Sequence, residues 1–106
     1  MPSWKKVIVS GSSAAIPSIT HTGDFTLDVS GDITLDADAN DIFLKDGGTA
    51  FGRFKIDTSD FIIKSEVNNK DIVFRGQDGG STITALTLDM SSGGDAQFRQ
   101  DVIAYH

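Results

Sequence analysis

The sequence predicts an all-β fold of short repeated strands stacked along an axis. One phrase recurs as Asp24-Phe25-Thr26-Leu27, Asp32-Ile33-Thr34-Leu35 and Asp41-Ile42-Phe43-Leu44, with degenerate copies at Asp60-Phe61-Ile62-Ile63 and Asp71-Ile72-Val73-Phe74. Leu, Ile, Val and Phe number 29, with Ile and Phe ahead of Leu, and branched and aromatic side chains suit a pleated surface. Eleven Gly separate short apolar runs, as turns separate strands. No stretch keeps a 3.6-residue apolar period beyond two turns.

Taken in order, residues 1–10 read as an exposed start followed by a short strand from Lys6 to Ser10. Trp4 is the only tryptophan; it is either a latch onto the chain's own core or an anchor for another protein, since Trp is frequent among interface hot spots. Gly11 to Ser18 reads as a linker. Residues 1–22 therefore form an attachment strand and linker, and residues 23–106 a repetitive β domain.

In the first two copies the alternation is clean. Phe25, Leu27 and Val29 oppose Thr26 and Asp28; Ile33, Leu35 and Ala37 oppose Thr34 and Asp36. A period of two implies one buried and one wet face. Ser30-Gly31 and Ala39-Asn40 read as the turns between them. The third copy, Ile42-Phe43-Leu44, is apolar on both faces and is expected to be covered on both. Phe51, Phe54 and Ile56 continue less regularly, and Gly52 suggests a bulge. Turns are expected at Asp57-Thr58-Ser59, Asn68-Asn69, Gln77 to Gly80 and Ser92 to Asp95. Strands are expected at residues 61–63, 72–74, 83–90 (with Leu86, Leu88 and Met90 on one face), 96–98 and 102–103.

The sum is nine or ten strands. Their spacing alone allows a sandwich, a barrel or a solenoid. Short repeats bury their faces by stacking on neighbours. A unit of 8 to 9 residues is short for a full turn of a single-chain β-helix, but suits one wall of a three-chain prism. The expectation is an intertwined homotrimeric β-prism or β-helix-like fibre, with a single-chain β-solenoid or sandwich as the alternative. Ile42, Phe43, Leu44, Phe61, Ile63 and Phe74 are the candidate subunit interface.

Charge and composition exclude several functions. The net charge is −6. Residues 1–22 carry +2, residues 23–50 carry seven Asp against Lys45, and residues 51–106 carry six bases against eight acids. An acidic centre opposes a nucleic-acid groove. There is no cysteine, hence no disulfide and no thiolate metal site. No apolar run approaches the ~20 residues of a membrane helix, so no membrane insertion is expected. Lys5-Lys6 precedes only Val7-Ile8-Val9, too short for a signal peptide.

Candidate chemistry is sparse. Asp36-x-Asp38-x-Asn40 has the spacing that opens a calcium loop, but Asp41 stands where such a loop needs Gly, and Gly47 where it needs Glu. The acids are better read as turn formers. Three copies could still gather aspartates on a trimer axis, a minor possibility that a chelator's effect on melting would test. The histidines are His21 and His106, and no serine lies in a Gly-x-Ser-x-Gly elbow. The Asp24, Asp32, Asp41, Asp60 and Asp71 column lacks flanking aromatics for a sugar platform. The paired glycines lack the Lys and the helix of a phosphate cradle. No catalytic residue, metal or cofactor is assigned.

The opening Ser3-Trp4-Lys5-Lys6-Val7-Ile8-Val9-Ser10-Gly11-Ser12 resembles the start of structural proteins of marine tailed bacteriophages, tail fibres among them. Gly31-Asp32-Ile33-Thr34-Leu35-Asp36-Ala37-Asp38, Asp41 to Gly48, Lys70 to Gly76 and Ala85 to Met90 are similar to their fibre repeats. The resemblance covers most of the chain. It implies a non-enzymatic virion component on the tail or capsid exterior, homotrimeric, docking to other virion proteins through its N-terminus. Trp4, Lys5, Lys6, Val7 and Ile8 are the implied attachment interface. Fibres of this style continue past a segment matched here by Ala96-Gln97-Phe98-Arg99-Gln100-Asp101-Val102, whereas this sequence stops at His106. That departure widens the expectation from tail fibre to short spike, adaptor, capsid decoration protein, or host-receptor or glycan-binding module. If the third copy lies at a subunit contact, Phe43→Asp is expected to abolish assembly.

Overall fold

The computed structural model describes Gly11 and residues 13–105. It is all-β, with two three-stranded antiparallel sheets and, among the described residues, one 3₁₀ turn as the only helical segment. The first sheet is the meander β1 (Asp41–Asp46), β2 (Thr49–Asp57) and β3 (Asp60–Ser65). The second is β4 (Ile72–Asp78), β5 (Ser81–Asp89) and β6 (Asp95–Phe98), with the 3₁₀ turn Met90–Ser92 before β6. In each sheet the spatial order follows the chain.

Turn chemistry explains why these segments pair. Two-residue hairpins that match strand twist need positive φ at both central residues. Gly47-Gly48 (φ 58° and 85°), Thr58-Ser59 (49° and 71°) and Gly79-Gly80 (58° and 87°) all meet that condition. They set the registers Asp46↔Thr49, Asp57↔Asp60 and Asp78↔Ser81. The longer β5–β6 connection is capped by Asp89, whose Oδ1 accepts from the backbone N–H groups of Ser91 and Ser92 at 3.1 and 3.2 Å and from Ser91 Oγ at 2.7 Å.

The two meanders repeat one design. Each begins just after or at an aspartate of the recurring phrase, Asp41 or Asp71. Each carries a bulge in its second strand: Leu44 and Lys45 face Gly52 and Ala50, leaving Phe51 extra, and Phe74 and Arg75 face Leu86 and Thr84, leaving Ala85 extra. The expected irregularity at Gly52 is thus a β-bulge. A Cβ on Gly52 would stand 3.4 Å from the Lys64 carbonyl oxygen, so the missing side chain also lets β3 approach.

Between the meanders, Glu66 N donates to Phe51 O and Lys70 N to Val67 O, both at 3.1 Å. Asp71 Oδ1 accepts from Met90 N at 3.1 Å, tying the start of β4 to the end of β5.

Several expectations need correction. Six strands, not nine or ten, are present among the described residues. Residues 24–37, which alternate most cleanly, form no strand, and neither do residues 102–103. The reason lies in the turn: Gly31 does not take a positive φ, so Ser30-Gly31 does not close a two-residue hairpin, and two strand-like phrases stay unpaired. Met90 leaves the strand for the 3₁₀ turn. The chain divides into two compact units between Ile33 and Thr34. The expected strand from Lys6 to Ser10 lies outside the described residues. Among the described residues the sheets are open, and their main contacts are between neighbouring strands. Among the described residues there is no barrel or solenoid.

Candidate interface

Register and alternation sort the side chains of each sheet onto two faces. In the first sheet Ile42, Leu44, Phe54, Ile56, Phe61 and Ile63 share one face. Phe54 and Phe61 meet there with ring centroids 6.0 Å apart and tilted by 42°. In the second sheet Ile72, Phe74, Leu86, Leu88, Ala96 and Phe98 share one face.

The opposite faces are mostly polar, with Phe43 and Ile62 on the first sheet and Val73 on the second as apolar exceptions. On the second sheet Arg75 Nε donates to Thr84 Oγ1 at 3.2 Å, Thr82 Oγ1 to Gln77 Oε1 at 3.3 Å, and Gln97 Nε2 to Asp89 Oδ2 at 3.3 Å. On the first sheet Arg53 lies 5.4 Å from the centre of the Phe43 ring and donates from Nη1 to Asp41 Oδ1 at 3.2 Å. Glu66 Oε1 sits against Arg53 Nε and 3.4 Å from Lys64 Nζ. Nε and Oε1 meet as an ion pair without hydrogen-bond alignment. The Arg53 and Glu66 side chains are only 19% and 18% exposed, the most enclosed charges of this network.

The apolar faces have no such cover. No described residue is buried. Phe61 is 73% exposed, and Phe74 and Phe98 are about half exposed. A shallow groove of about 300 Å³ lies at the first sheet's apolar face, lined by Ile42, Phe54, Ile56 and Phe61 together with Leu35, Asp36 and Ala37 of the segment before β1.

The candidate subunit interface is therefore divided by the fold. Ile42, Leu44, Phe61 and Ile63 come together on one face, Phe74 lies on the apolar face of the other sheet, and Phe43 alone turns to the charged face. The composition of Ile42-Phe43-Leu44 does not require a partner on Phe43's side, because Arg53 and Lys45 stand over that ring. Phe54, Ile56, Leu86 and Phe98 complete the faces and are absent from the candidate interface read from the sequence. The two-residue Gly47-Gly48 turn was the signal that could have found Phe54: counting outward from it, with one residue of bulge, pairs Phe54 with Ile42.

Trp4, Lys5, Lys6, Val7 and Ile8 lie outside the described residues, as does His106. Of the aspartates that open the repeated phrase, Asp41 braces Arg53 and Asp71 holds the Met90 N–H. Asn40, with φ 78°, closes a turn: its N–H donates to Ala37 O and its carbonyl accepts from Ile56 N. Among the described residues no helix is long and apolar enough to cross a membrane. No family model matches the chain, and no curated protein or solved structure is found similar to it.

Proposed function

We propose that this chain is a non-enzymatic structural subunit that works as a homo-oligomer, its apolar sheet faces covered by other copies. One observation carries the reading: two sheets each segregate an apolar from a polar face, and the apolar face is left open. Apolar burial is the main favourable term in folding, so faces of this kind imply a cover. The resemblance of residues 3–12 and of the repeats to phage fibre proteins supports a homotrimer on the exterior of a virion, as a short tail fibre, spike or adaptor. Residues 1–10 are the dock to a neighbouring virion protein. Capsid decoration is the second reading, favoured by the same open faces; a host receptor or glycan is a further partner class.

Sedimentation equilibrium tests the oligomer: a trimer has three times the 11.3 kDa of the chain. A stable monomer would end the proposal. Removal of residues 1–10 is expected to leave the oligomer intact and abolish its incorporation into particles, read by probing purified particles for the protein. Unchanged incorporation would dismiss the dock.

A further inference from the structure

The two meanders are alike beyond their strand order. Asp41 and Asp71 stand 30 residues apart, and each follows a turn in which an N–H reaches back three residues: Asn40 N to Ala37 O and Lys70 N to Val67 O, both at 3.1 Å. Ile42 pairs with Phe54 and Ile72 with Leu88, and both register shifts fall after the fourth residue of the opening phrase. A bulge leaves its extra residue out of the ladder and frees that residue's backbone groups for another partner. In both meanders the partner is the N–H of the residue that follows the third strand. Glu66 N donates to Phe51 O at 3.1 Å, and Arg99 N to Ala85 O at 3.0 Å.

We infer that the bulge is the joint at which one 30-residue module hands the chain to the next, and that Asp101-Val102-Ile103-Ala104 holds the opening-strand position of a third module. Asp101 stands 30 residues after Asp71 and two after Arg99. Val102, Ile103 and Ala104 repeat the apolar run of Ile42-Phe43-Leu44 and Ile72-Val73-Phe74. Residues 101–105 form no strand, and Val102 and Ile103 are 68% and 70% exposed. This is the condition of an opening strand without a hairpin beside it, since a ladder needs a second strand. The interval also survives unequal parts. The second hairpin reaches its Gly-Gly turn two residues later than the first, and its exit is shorter: residues 66–70 lead from β3 to Asp71, but Arg99 and Gln100 alone lead from β6 to Asp101. Units of fixed interval add in series, so the number of modules sets the length of such a domain.

The test lengthens the full chain by adding residues 75–100 a second time after Ala104. Asp101-Val102-Ile103-Ala104 then stands where Asp71-Ile72-Val73-Phe74 stands in the second module. Amide hydrogen exchange is followed residue by residue. The amides among residues 102–104 that face the added hairpin are expected to slow on the order of tenfold or more. A control adds the same residues after Val102, two positions out of step, and there the slowing is expected to be absent. Fast exchange throughout residues 102–104 of the in-step chain would overturn the third module, and so would equal slowing in the control. The unaltered chain gives a second reading that needs no variant. The Glu66 and Arg99 amides lie outside the strands and are expected to exchange more slowly than those of Val67 and Gln100. Exchange as fast as in those neighbours would overturn the joint. A monomer by sedimentation would remove the homo-oligomer proposed above and leave this inference standing.

Discussion

At the residue scale the turns decide the fold, and they do so unequally. Gly47-Gly48 and Gly79-Gly80 take positive φ without a Cβ to obstruct it. Thr58 and Ser59 take the same conformation with side chains, at φ 49° and 71°. For a residue with a Cβ the left-handed region costs roughly 1–2 kcal/mol, and the branched Thr58 is the less suited of the two. Thr58→Asn with Ser59→Gly places there the pair that such turns prefer. The double variant is expected to be more stable by about 1 kcal/mol, read as a higher melting temperature at fixed protein concentration.

Asp89 adds a pH dependence. The Ser91 hydroxyl donates to its carboxylate and is the leading cause of a pKa held below the ordinary 3.8; partial desolvation opposes this, and the N–H groups of Ser92 and Ser91 and the Gln97 amide reinforce it. A carboxyl whose folded pKa is depressed contributes stability that is complete above its unfolded pKa and is lost as pH falls through the folded value. Asp89→Asn is therefore expected to melt below the parent at neutral pH. The two melting temperatures should converge as pH falls below the ordinary 3.8 and through the depressed folded value. A gap that persists at acid pH would mean the side chain acts by shape rather than by charge.

At the scale of the element, the meander separates what the local sequence leaves mixed. Ile42, Phe43 and Leu44 are adjacent in the chain, but pleating sends Phe43 to the side of Arg53 and Lys45 and the other two to the side of Phe54. This revises the mutational expectation. Phe61→Asp puts a charge on the open apolar face and is expected to disperse the oligomer. Phe43→Asp places its charge beside Arg53 and Lys45 and is expected to leave the oligomer intact, with a modest loss of sheet stability of about 1 kcal/mol from the lost cation–ring contact. Sedimentation velocity on both variants separates the cases, and the reverse outcome would assign assembly to the charged face.

The element scale also shows where sequence reasoning reached its limit. The phrase starting at Asp41 and the one starting at Asp32 look alike, and only the first is a strand. A strand exists only when its N–H and C=O groups find a second strand, and that depends on the turn that returns the chain. Gly47-Gly48 returns it; Ser30-Gly31 does not. Phe54 and Ile56 were obscured for a related reason: the extra residue Phe51 breaks the period-two alternation that would have placed them.

At the scale of the whole molecule, the described chain has apolar faces but no buried residue. Burying a large apolar side chain fully is worth about 1.5–3 kcal/mol, so each half-exposed Phe or Ile leaves a substantial part of that unrealised. If other copies supply the cover, folding and association are one equilibrium, and stability depends on concentration. The melting temperature is expected to rise by several degrees over a hundredfold increase in protein concentration. A melting temperature independent of concentration would show that the single chain is stable alone.

The sequence by itself determined the all-β class, the turns within the two meanders and the aspartates with which the meanders open. These follow from local chemistry: branched side chains on a pleat, paired glycines at positive φ, acids beside free N–H groups. Only the tertiary structure decided which copies of the phrase become strands, which face each apolar side chain takes, and that Phe43 parts from Ile42 and Leu44. Those outcomes depend on register across a sheet, and a single bulged residue is enough to move every side chain beyond it.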